Sequence, residues 1–155
     1  MEHITISCDI ERLQWDELSK EEQQLIDSAK EATYSAYAPY SHFFVGAALR
    51  LQDGSIVIGN NQENASYPCG LCAERTALFA ANSQYPDLQV TALAIAARNA
   101  EGFLKTPITP CGSCRQVMLE VEHRQNAPIK IYLYGENALY RIASSEELLP
   151  LQFTL

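Results

Sequence analysis

Cys72-Ala-Glu-Arg-Thr-Ala-Leu-Phe-Ala-Ala-Asn82, followed after Pro86 by Val90-Thr-Ala-Leu-Ala-Ile-Ala-Ala97, is the stretch whose reading decides the fold. The first part is rich in Ala, Leu, Glu and Arg and reads as a helix; the second is a short apolar run of strand length, bounded by Pro86 and Gly102. Upstream, Phe44 to Gln52 and Ser55 to Asn60 are β-rich and meet at Asp53-Gly54, a dipeptide suited to a tight antiparallel hairpin. Downstream, a second helix is expected from about Gly112 to Arg124, then strands over Ile129 to Tyr134 and Ala138 to Ile142. Strand, helix, strand, helix, strand is the signature of a parallel segment. The hairpins add antiparallel members, so the expectation is an α/β fold with helices packed on a mixed sheet of about five strands.

Toward the N-terminus, Ser19 with Glu22 forms a capping box, and Leu25, Ala29, Ala32 and Ala36 share one helical face until Pro39 ends the run. Ile4, Ile6, Cys8 and Ile10 alternate with polar residues, as in an edge strand or ordered arm, and Glu146 to Leu149 reads as a last helical turn. Tyr34, Tyr37 and Tyr40 recur every three residues, which marks a packed helix face or a subunit contact rather than a base-stacking platform. No linker, repeat or charge block divides the 155 residues, so a single domain spanning 1–155 is expected, with 1–15 as an arm.

Composition narrows the function. With 19 acidic and 11 basic residues the formal charge is -8, which opposes binding to phosphate backbones, so nucleic acid is not an expected partner. Neither a basic n-region with an apolar h-region nor a bilayer-length apolar stretch is present, and the expected location is cytoplasmic, away from membranes. Five cysteines in such a compartment point to metal or thiol chemistry rather than to disulfides.

Cys111 and Cys114 form Pro-Cys-x-x-Cys at a helix start, a spacing that lets two thiolates grip one zinc ion; a redox pair would look similar locally. Cys72 opens the other helix, so two helix N-termini, each with its positive dipole end, could converge on one metal. Three sulfurs would leave a fourth corner for water, the open arrangement of catalytic zinc, with Glu74 beside it. Cys69 keeps a rival in play, because with Cys72 it completes a second Cys-x-x-Cys and hence a closed, purely structural four-thiolate site.

Cys72-Ala-Glu-Arg-Thr-Ala77 and Pro110-Cys-Gly-Ser-Cys-Arg-Gln116 resemble the small homotetrameric cytidine deaminases with a three-cysteine zinc site. The similarity extends to Ala38-Pro-Tyr-Ser-His-Phe43, Val45-Gly-Ala-Ala-Leu49, Asn61-Gln-Glu-Asn-Ala65 and Glu147-Leu-Leu-Pro150, leaving the first fifteen or so residues outside it as an extra arm. The resemblance implies the three-layer cytidine deaminase fold, one zinc per chain, and hydrolytic conversion of cytidine and deoxycytidine to uridine and deoxyuridine with release of ammonia. A related aminohydrolase for a modified cytosine nucleoside, of the blasticidin S type, is the nearest enzymatic alternative.

By the same resemblance Cys72, Cys111 and Cys114 would hold zinc, and Glu74 would move protons between water, N3 of the pyrimidine and the departing amine. Asn61 and Glu63 match positions that hold sugar hydroxyls, Phe43 matches an aromatic lining the pocket, and the backbone of Ala73 and Thr109 would meet the base edge. Tyr67 and Phe153 would come from neighbouring subunits. Three thiolates weaken the zinc's pull on water electrons, and Arg75 and Arg115, each next to a motif residue, could offset this by hydrogen bonding to sulfur.

Overall fold

Alternation along two central strands sets the layering. In a computed structural model that describes Met1–Thr154, β2 (Phe44–Leu51) and β4 (Val90–Asn99) pair antiparallel at the middle of the sheet. Val45, Ala47, Leu49, Leu93 and Ile95 enter one core, and Ala48, Ala92, Ala94 and Ala96 enter a second on the opposite face. A strand segment buried on both faces must be apolar, which is why β4 reads as a hydrophobic run from Ala92 to Ala97.

The larger core is closed by α2 (Ala73–Gln84) and α3 (Gly112–Gln125), the smaller by α1 (Lys20–Ala32), giving three layers: helix, sheet, two helices. The Ser19/Glu22 capping box is present, and Leu25, Ile26 and Ala29 of α1 face the sheet. Small residues permit the approach, since a Cβ on Gly46 would lie 2.0 Å from the Ala29 carbonyl oxygen.

The sheet has seven strands. β1 (Glu11–Leu13), β3 (Ile56–Asn60), β6 (Lys130–Gly135) and β7 (Ala138–Ile142) complete the order β1-β7-β6-β4-β2-β3, and β5 (Gly102–Phe103) adds to the end of β4. The five longer strands are those read from the sequence; β1 and β5, three and two residues long, are additional. Of the named strands, β4 and β6 alone pair in parallel. β3 and β4 run in the same direction but are separated by β2, so the connection carrying α2 passes over one strand. Because β3 and β4 point the same way, the segments leading to α2 and α3 leave from the same end of the sheet, the usual place for a site in an α/β fold.

Of the two forms expected for residues 4–10, an edge strand or an ordered arm, the strand is not found. Residues 1–10 are exposed and contain no strand; pairing begins only at Glu11, which meets Arg141 of β7 in register and through an ion pair of 2.5 Å. Apolar alternation specifies a strand only where one face has a core to enter, and Ile4, Ile6 and Ile10 have none. The tyrosine repeat also falls beyond the helix. α1 ends at Ala32 and passes into a 3-10 turn, Thr33–Ser35, leaving Tyr34, Tyr37 and Tyr40 exposed. Among the described residues no helix is long and apolar enough to cross a membrane.

Gly59 of β3 lies directly under the first turns of α2: a Cβ there would sit 2.4 Å from the Ala77 nitrogen and 2.6 Å from the Ala73 carbonyl oxygen. Both neighbours are backbone and cannot swing aside. Gly59→Ala is expected to cost roughly 1–3 kcal/mol of stability, the range typical of overpacking. Urea unfolding checks this, and an unchanged midpoint would contradict the close approach.

Candidate active site

Two helix starts bring the sulfurs together. Cys72 is the N-cap of α2 and Cys111 the N-cap of α3, both in extended backbone conformation, and Cys114 is buried in the first turn of α3. Neither N-cap sulfur is used to cap its helix, so both remain free as ligands. The Cys72 and Cys111 Sγ atoms are 3.7 Å apart, those of Cys111 and Cys114 3.5 Å, and all three lie within 4.8 Å of one another. Tetrahedral zinc with Zn–S bonds of about 2.3 Å requires sulfurs about 3.8 Å apart, so the cluster fits that ion with little movement. Among the described residues this is the one group of three or more such side chains placed to hold a metal, and Cys69, exposed in the turn Tyr67–Cys69, is outside it. The four-thiolate reading therefore lacks its fourth ligand.

The charges around the cluster favour thiolate. Arg75 donates from Nη2 to the Cys72 sulfur at 3.5 Å. The neighbouring Cys114 thiol, with help from Arg75, draws the Cys72 pKa down to about 5, while the Cys72 sulfur and burial push Cys114 up. One proton is thus held preferentially on the buried member of the pair. Glu74, on the first turn of α2, is only 4% exposed; burial raises its pKa, and the Cys72 charge adds to the effect. A carboxyl group biased toward holding a proton, next to a metal site, is suited to acid–base work.

Arg115 does not share the task of Arg75. Its guanidinium donates to the carbonyl oxygens of Pro110 and Leu148, each at 2.8 Å, and to Thr109 Oγ1 at 3.3 Å, so it ties the loop before Cys111 to the C-terminal turn. Arg75 Nε is buried without a hydrogen-bond partner among the described residues.

A cleft of about 470 Å³ opens beside the cluster and is lined by Cys72 together with Asn61, Glu63 and Tyr67. Phe43, Ala73, Thr109 and Phe153 are not among its lining residues. Phe43 packs against the larger core, Ala73 is buried at the start of α2, and Thr109 is exposed on the loop before Cys111. Phe153 and Tyr67 are exposed, Tyr67 making an edge contact with Tyr40 at 6.0 Å between ring centroids. The lining also includes Tyr40, read from the sequence only as part of a tyrosine repeat, and Ser41, which the sequence reading did not single out although it lies inside Ala38-Pro-Tyr-Ser-His-Phe43.

Three sulfurs on two helix N-termini, a buried carboxyl group and an adjoining cleft, in a three-layer α/β fold, fit the class of zinc-dependent hydrolases. Comparison with known proteins narrows the class. The family model for the cytidine and deoxycytidylate deaminase zinc-binding region matches residues 19–127. The cytidine deaminase of Halalkalibacterium halodurans is 46% identical over 132 residues, covering 85% of this chain and 93% of the relative; that of Sporosarcina psychrophila is 41% identical over 132 residues, covering 85% and 90%. The crystal structure of the Burkholderia pseudomallei cytidine deaminase superposes with a TM-score of 0.71 at 41% identity, covering 84% of this chain and 97% of that one. This chain belongs to the cytidine deaminase family.

Because the pKa of Glu74 in the folded chain is above the ordinary carboxylate value of 4.5, its burial weakens the fold progressively as pH rises from that value through the raised one. In metal-free protein under reducing conditions, Glu74→Gln is expected to raise the melting temperature at neutral pH and to leave it nearly unchanged near pH 4. An equal shift at both values would contradict the burial effect.

Proposed function

We propose that this chain catalyses the hydrolytic deamination of cytidine and deoxycytidine, with Cys72, Cys111 and Cys114 as the zinc ligands and Glu74 as the proton carrier. The observation that carries the proposal is the placement of Glu74 two residues after a cysteine whose sulfur lies within 4.8 Å of two others. Zinc bound there supplies a Lewis acid that lowers the pKa of a water molecule toward neutrality. Glu74 takes one proton from the water as its oxygen adds to C4 and passes that proton to N3. It then moves the second proton to the amino group, which departs as ammonia, leaving a C4 carbonyl and a protonated N3.

The remaining residues bind and orient. Asn61 and Glu63, in the cleft with Cys72, offer amide and carboxylate groups to sugar hydroxyls. The resemblance further assigns an aromatic contact to Phe43 and the base edge to the backbone of Ala73 and Thr109, three residues that lie outside the lining of the cleft in a single chain. Arg75 favours the thiolate of Cys72, to which it donates, without itself touching the reacting atoms. Tyr67 and Phe153, exposed in a single chain, complete neighbouring sites in a homotetramer, and the five unpaired cysteines suit the reducing cytoplasm.

Metal analysis combined with a cytidine absorbance assay tests this reading. The expected result is one zinc per chain with turnover of cytidine and deoxycytidine; stoichiometric zinc without deamination would contradict it. Glu74→Gln should retain zinc yet lose at least about a hundredfold in kcat, within the range for removing an acid–base group. Cys69→Ser should keep both zinc and activity, and loss of the metal there would restore the four-thiolate reading. Arg75→Gln should reduce activity more than metal content, whereas loss of zinc in step with activity would make it an element of metal retention.

A further inference from the structure

Glu63 reaches the cleft with most of its hydrogen-bonding capacity already used, and the residue that uses it is Ser41. The Ser41 hydroxyl donates to Glu63 Oε1, while the backbone N–H groups of Tyr40 and Ser41 donate to Oε2 at 2.9 and 3.3 Å. A carboxylate offers about four lone-pair sites, so these three donors fill Oε2 and leave one acceptor position on Oε1. The Glu63 backbone is fixed independently, because its N–H donates to the Tyr37 carbonyl at 2.8 Å and the Tyr37 N–H donates to the Asn61 carbonyl at 3.0 Å. Only the Glu63 side-chain torsions remain to be set, and the turn at 40–41 sets them.

The same serine also holds the turn. Its oxygen accepts from the Phe43 N–H at 3.1 Å, bridging His42, whose φ of 54° places a non-glycine residue in the left-handed region. Asn61 is committed in a similar way: Oδ1 accepts from the Val45 N–H at 2.8 Å, and Nδ2 donates to the Phe43 carbonyl at 2.9 Å. Asn61 and Glu63 are therefore two prearranged polar groups on one hydrogen-bonded lattice, and among the described residues Ser41 is the one side-chain hydroxyl that orients the carboxylate.

We propose that Ser41 is a positioning residue of the sugar subsite, orienting Glu63 so that one lone pair of Oε1 accepts one hydroxyl of the nucleoside sugar. The inference rests on the deaminase reading above. The expected effect is on binding, as for an interaction made equally before and during a reaction.

The experiment is a cycle between the protein and the ligand. For Ser41→Ala, kcat/KM on cytidine is expected to fall about tenfold, a typical cost for losing a hydrogen bond to a charged group, with the change in KM rather than kcat. Ser41→Thr, which restores a hydroxyl, should recover most of it. On 2′,3′-dideoxycytidine, which has no hydroxyl for Glu63 to accept, the Ala variant should match the parent within about twofold. Calorimetric binding of uridine and 2′,3′-dideoxyuridine should repeat the pattern without a catalytic step. Equal losses on hydroxylated and dideoxy ligands, or a loss confined to kcat, would overturn the proposal. If the Ala variant does not fold, Ser41→Cys, similar in size but a weak donor, takes its place with the same outcomes. A parent chain that fails to deaminate cytidine at all would instead overturn the deaminase reading.

Discussion

Three thiol sulfurs held within 4.8 Å of one another cannot all carry charge unless a cation lies among them. Two unit charges 4 Å apart repel by about 4 kcal/mol at an effective dielectric constant of 20, and three sulfurs make three such pairs. The metal-free chain responds by sharing protons, with Cys72 pulled toward thiolate and Cys114 pushed toward thiol. A divalent ion removes the conflict, and the helix N-termini and Arg75 lessen it further. Glu74 lies within the same field, so the Cys72 charge that helps to bind a metal also biases this carboxyl group toward its protonated form.

The fold exists around this convergence. β3 and β4 share a direction although β2 lies between them, so the chain twice leaves the same end of the sheet and twice starts a helix on the same face. Gly59 lets α2 press onto β3 at backbone distance, which fixes where Cys72 begins that helix. On the other side, Arg115 holds Thr109 and Pro110 against the C-terminal turn. Glu122 of α3 secures that turn from below, its buried carboxylate accepting from the Ser145 N–H at 2.9 Å and from the Ser145 hydroxyl at 2.6 Å. The loop carrying Cys111 is thus braced by residues outside the sulfur cluster.

Much of this was legible in the residues because the signals are local. Ser19 with Glu22 announces α1, Asp53-Gly54 announces the β2–β3 hairpin, and the spacing of Cys111 and Cys114 announces a shared ligand face. What was not legible depends on partners distant in sequence. Nothing between residues 60 and 90 indicates that α2 crosses over β2, because that is decided by where the hairpin inserts. The apolar alternation of Ile4 to Ile10 resembles a strand, yet pairing is won by Glu11–Leu13, whose Glu11 meets Arg141 on the edge of β7. Arg75 and Arg115 look equivalent beside their motifs, and only the fold places a sulfur within reach of one and a carbonyl-lined loop around the other. Ser41 gave no signal of its own, since its role arises from a carboxylate 22 residues away.

The most direct test of the central claim is X-ray absorption at the zinc edge on the purified protein. Three sulfur neighbours at about 2.3 Å with one oxygen or nitrogen neighbour at about 2.0 Å is the expected first coordination sphere. Four sulfur neighbours at full zinc occupancy would contradict it, because the metal would then have no position left for the water that attacks the base.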